Sequence, residues 1–120
     1  MGESVLRSKS YLFAISIIKV YKQLITEQKE FVLSKQLLKS GTAIGALIRE
    51  AEFAQSKLDF INKLSIALKE SNETEYWILL LKDTSLIISD TASSLLSENT
   101  ELIRMLVSSI KTTKLSITKK

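Results

Sequence analysis

The sequence predicts an all-α fold, an antiparallel up-and-down four-helix bundle. Three observations point there. The 120 residues include no Pro and only three Gly, so few signals remain for the tight turns of an all-β chain. Long segments repeat apolar residues at the spacing of a helix face, and the breaks between them are short. The length suits one domain, residues 1–120, with its own core.

Helix one is expected over about residues 4–27. Steps of 100° per residue put Phe13, Ile17, Val20 and Leu24 on one stripe and Tyr11, Ile15, Ile18 and Ile25 on a second beside it. Together they cover about half of the circumference, more than the ~100° stripe of an ordinary surface helix. The excess predicts self-association.

Helix two is expected over 31–54, with Leu33, Leu37, Ile44, Ile48 and Ala51 as its core stripe and Gly41 and Leu47 at the margins. A mid-helix Gly costs about 0.5–1 kcal/mol relative to Ala. Gly41 and Gly45 therefore predict close approach by a neighbouring helix, and their helical setting argues against a phosphate loop.

Helix three is expected over 57–82, opened by a capping box at Ser56 and Asp59. Ile61, Leu64 and Leu68 give its apolar face. Glu70 to Glu75, followed by Tyr76 and Trp77, is its most polar stretch. Asp83 to Ser85 reads as a turn, Ser89 as an N-cap, and helix four runs over 89–114 with Leu95, Leu102, Leu106 and Ile110 facing the core. Leu96, Ile103 and Val107 widen that face, and residues from Leu115 onward are expected to fray.

With no His and no Cys, the chain lacks the usual proton shuttle, the Ser-His and Cys-His pairs, and most zinc or transition-metal sites. We expect no enzyme activity, no metal site and no cofactor. Glu50, Glu70, Glu73 and Glu75 read as a solvated or salt-bridged face before they read as a cation site. The absence of Cys fits a reducing compartment, no apolar run approaches the ~18 residues of a membrane span, and no secretory signal pattern opens the chain. A cytoplasmic protein is expected.

The net charge of +4 hides a segregation along the chain. Residues 1–49 sum to +5, residues 50–101 to −6 and residues 102–120 to +5. Such ends attract a polyanion or pair with the acidic middle. The candidate nucleic-acid contacts are Lys19 and Lys22 on helix one, Lys35 and Lys39 one turn apart on helix two, and Arg104 and Lys111 on one stripe of helix four. A lysine face that serves only solubility is the alternative.

Three blocks, Lys35 to Ala51, Ser56 to Leu81 with Glu73-Thr74-Glu75-Tyr76-Trp77, and Glu101 to Leu106, carry a resemblance over Tyr11 to Lys114. The chain resembles the four-helix-bundle family that includes proteins encoded in 23S ribosomal RNA intervening sequences. The resemblance implies a ring-shaped homo-oligomer, commonly a homopentamer. Proteins similar to it include the accessory variability protein of diversity-generating retroelements, which by analogy implies nucleic acid and a reverse transcriptase as partners. The family pattern often has Ser at Ala43 and Asn at Leu47; this chain has lost both polar groups. The function expected is a non-enzymatic accessory or scaffold protein binding RNA or DNA through its basic rows. The alternative is a protein-only module whose ring surface binds a partner protein.

Overall fold

The computed structural model describes residues 2–118, and side chains from Val5 onward. It contains α1 (Gly2–Thr26), α2 (Leu33–Glu52), α3 (Lys57–Asp83) and α4 (Ser89–Thr118). The longest connection, residues 27–32, spans at most ~20 Å, whereas the shortest helix, α2, has 20 residues and extends ~30 Å. Consecutive helices must therefore run antiparallel. Each packs on its chain neighbours, α1 closes loosely on α4, and the bundle measures 54 × 21 × 20 Å.

The core holds the stripes that the spacing assigns. Phe13, Ile17 and Leu24 of α1 meet Leu37, Ile44 and Ile48 of α2, Leu64, Ile78 and Leu81 of α3, and Leu95, Leu102 and Leu106 of α4. The second stripe of α1 stays at the surface: Tyr11 is 58% exposed, Ile18 is exposed, and Ile15 and Ile25 are half-buried.

Local chemistry sets the helix ends. α2 starts at Leu33, two residues later than its spacing indicates, because Glu30 gathers its orphan donors: the carboxylate accepts from the N–H groups of Val32, Leu33 and Ser34 at 3.2, 2.9 and 2.7 Å. α3 opens as its sequence indicates, with Ser56 Oγ accepting from Asp59 N–H at 3.0 Å; the Asp59 carboxylate accepts in turn from Gln55 N–H at 3.3 Å. α3 closes in a Schellman motif. Ser85 takes φ 62°, its N–H reaches the Lys82 carbonyl, and Leu86 N–H reaches the Leu81 carbonyl. Ser89 lies inside α4, whose first turn is anchored by Ala92 N–H on the Ile88 carbonyl. The same helix continues past Leu115 to Thr118 where fraying was expected: no Gly or Pro interrupts it, and Thr113, Ser116 and Thr118 donate back to carbonyls of their own helix. Lys119 and Lys120 lie outside the described residues.

Gly41 marks the close contact between α1 and α2. A methyl group there would lie 2.8 Å from Ile17 Cγ1, whereas at Gly45 it would stand 3.5 Å from the Ser10 carbonyl oxygen, an ordinary contact.

Candidate nucleic-acid interface

Lys19 and Lys22 sit in the last third of α1, and Lys35 and Lys39 in the first third of α2. All four side chains are exposed. Since α1 and α2 are antiparallel neighbours, the four lysines gather toward the end that carries the α1–α2 connection. Arg104 and Lys111 are exposed on α4. Seven residues apart, they lie within ~20° of one line along the helix and ~10 Å apart in rise. α4 packs on α1 and α3 but not on α2. The cations of α2 and α4 therefore face opposite sides of the bundle, and the six candidates form two groups instead of one row.

Ion pairs engage other cations. Arg7 meets Glu52 at 3.4 Å, Lys9 meets Glu101 at 3.2 Å and Lys63 meets Glu50 at 3.2 Å. Among the described residues, none of the six candidates joins an ion pair. The basic N-terminal segment thus pairs with the acidic middle through Arg7 and Lys9, leaving most of its charge open to solvent.

The acidic stretch of α3 disperses. Glu73 and Glu75 are two residues apart and point to opposite sides of the helix. Glu73 Oε2 accepts from Trp77 Nε1 at 3.4 Å, and the Trp77 ring packs edge-on to Tyr76 with centroids 5.0 Å apart. Trp77 rests half-buried on the core while Tyr76 is exposed. Among the described residues, no group of three acids is placed to hold a metal ion.

Sequence reasoning missed a polar layer inside the bundle. Ser40, Ser71, Thr74 and Asn99 are all buried. The Thr74 hydroxyl lies 2.7 Å from the Glu70 carbonyl and 2.9 Å from Ser40 Oγ, and Asn99 Nδ2 donates to the Ser71 carbonyl at 2.9 Å. Ser71 Oγ and Asn99 Oδ1 have no partner among the described residues. Spacing was the available signal: Asn99 stands four residues after Leu95 and three before Leu102, within the core stripe of α4.

A second missed feature lies in the α1–α4 seam. Ser16 Oγ donates to Glu98 Oε1 at 3.4 Å. Burial raises the Glu98 carboxyl above the usual range, with Glu101 adding to the rise and the Ser16 and Ser94 hydroxyls opposing it.

Residues 3–108 match the family described as 23S rRNA-intervening sequence protein. The chain belongs to that family. It is also similar to a crystal structure from Bacteroides thetaiotaomicron VPI-5482, that of a protein of unknown function from the S23 ribosomal protein family. The TM-score is 0.91 at 56% identity, covering 92% of this chain and 99% of the other. No curated protein matches. Membership and structural likeness agree on the four-helix architecture. None of the helices is long and apolar enough to cross a membrane.

Proposed function

We propose that this member of the 23S rRNA-intervening sequence protein family is a non-enzymatic, self-assembling bundle that holds RNA or DNA through Lys19, Lys22, Lys35, Lys39, Arg104 and Lys111. The observation that carries the reading is that all six cations are exposed and lie outside the ion pairs of the described residues. Such side chains exchange condensed counterions for phosphate contacts at little structural cost. The family description refers to 23S rRNA, so structured RNA is the first ligand to test.

Self-assembly is supported by the exposed apolar residues of α1, Tyr11, Leu12 and Ile18. Two groups of cations on opposite sides of each subunit suit a ring that presents charge from every copy.

A second reading draws on α3. The acids Glu70, Glu73 and Glu75 stand beside Tyr76 and Trp77 on α3 and are opposite in charge to the α1–α2 lysines, so on this reading the same lysines serve subunit pairing. Lys35→Gln with Lys39→Gln separates the two. On the nucleic-acid reading this variant weakens binding of structured RNA and duplex DNA at low salt and keeps the native mass. On the pairing reading it changes the mass, and the unaltered protein binds neither polyanion.

A further inference from the structure

Beside Arg104 the seam between α1 and α4 opens into a cleft of about 430 Å³. Buried Leu6 and half-buried Met105 supply apolar lining, and Arg104, Ser108, Ser109 and Thr112 bring a cation and hydroxyls. Among the described residues, its lining side chains include no carboxylate. Four other depressions among the described residues each carry an acid: Glu52 near the α2–α3 connection, Glu27 at the opposite end, Glu101 on the outer side of Arg104, and Asp90 with Glu98 further along the seam. Glu101, the acid one turn below Arg104, is held by Lys9 at 3.2 Å.

The hydroxyls run against helix propensity. An exposed helix position is more favourably filled by Ala, Lys or Glu than by Ser or Thr. The Thr113 hydroxyl is spent on the Ser109 carbonyl at 2.8 Å. Those of Ser108, Ser109 and Thr112 have no hydrogen-bond partner among the described residues. Three unspent hydroxyls beside a guanidinium form the donor set that phosphate oxygens accept from, since Arg matches phosphate bidentately and Ser and Thr add neutral donors.

We propose that this cleft is a phosphate-binding site, with Arg104 as the anchoring cation and Ser108, Ser109 and Thr112 as hydroxyl donors. The inference deepens the nucleic-acid reading and rests on it, because it assigns the point on α4 where a backbone phosphate is held. A free nucleotide offers the same group, so the experiment has two arms.

Isotope-labelled protein is titrated with a short single-stranded RNA and, separately, with AMP, following the amide resonances of residues 108–113. Affinity for the RNA is measured for the unaltered chain and for Arg104→Gln. The expected result is RNA-induced shifts at those residues, several-fold weaker RNA binding by Arg104→Gln, and a log–log salt slope smaller by about 1. Equal affinity and slope in the two proteins overturn the cleft while leaving the nucleic-acid reading standing. Shifts with AMP, together with no RNA affinity in the unaltered chain, support the cleft and overturn the nucleic-acid reading. The absence of shifts with either ligand overturns the cleft, and the nucleic-acid reading falls with it if the unaltered chain also binds no RNA.

Discussion

Two glycines in one helix turn have different duties. At Gly41 a Cβ would press on the fully buried Ile17. The helix propensity gained by Gly41→Ala, about 0.5–1 kcal/mol, is outweighed by an overpacking cost of about 1–3 kcal/mol. Gly45→Ala meets only ordinary contacts and keeps the propensity gain. Chemical denaturation should therefore show Gly41→Ala destabilised by about 1 kcal/mol and Gly45→Ala stabilised by about 0.5–1 kcal/mol. The reverse order would contradict the packing of α1 on α2. Two carboxylates give a second contrast. Partial burial opposes the charged form of Glu30, but the N–H groups of Leu33, Ser34 and Val32 outweigh it and lower its pKa. Its contribution to stability is full above the ordinary carboxylate value and is lost as pH falls through the lowered value. Glu98, raised by burial, has the opposite sign: its charge costs stability at neutral pH, and the cost disappears as pH falls through the raised value. Thermal melts across pH should show Glu30→Gln less stable at pH 7 with a flatter acid limb, and Glu98→Gln more stable at pH 7. The Gly41 contact was legible as small residues amid helical spacing. Glu30 was not, because an acid three residues ahead of a helix caps it only when the chain bends back, which here follows the left-handed Lys29 at φ 54°.

Among the elements, the core faces of α2 and α4 were the most legible, since their apolar residues recur cleanly at three and four. α3 hid part of its face. Thr74 belongs to the stretch that reads as most polar, yet it is buried together with Ser71, while Ile66, Tyr76 and Leu79 lie exposed. Polarity alone misplaces Thr74 because its buried hydroxyl is satisfied by the Glu70 carbonyl of its own helix and by Ser40. The Schellman end of α3 holds a Ser where Gly is usual, and a non-Gly residue in that conformation costs roughly 1–2 kcal/mol. Ser85→Gly should raise the melting temperature, corresponding to about 0.5–1 kcal/mol once the entropy of Gly is set against the relief. A lower melting temperature would contradict the cap. The outward stripe of α1 tests assembly. Tyr11→Glu with Ile18→Glu should leave the fold intact by circular dichroism and reduce the native mass to that of the 13.5 kDa chain. An unchanged mass would remove α1 from the interface.

At the scale of the whole molecule, the segregation of charge along the chain becomes a segregation in space. Basic α1 and the first half of α2 present four lysines toward one end, and the acid-free second half of α4 presents Arg104 and Lys111 on the side away from α2. The individual basic residues were legible as exposed positions between apolar stripes. Their division into two groups was not, because it depends on α2 and α4 standing diagonally across the bundle. The α1–α4 cleft was equally hidden, since its walls come from residues about one hundred positions apart in sequence. The salt dependence of RNA binding tests the central claim most directly. If all six cations contact phosphate, the log–log slope for a structured duplex approaches −5, and affinity falls about 10³-fold between ~50 and ~200 mM salt. An affinity that does not change with salt, or no binding at ~50 mM, would contradict the account.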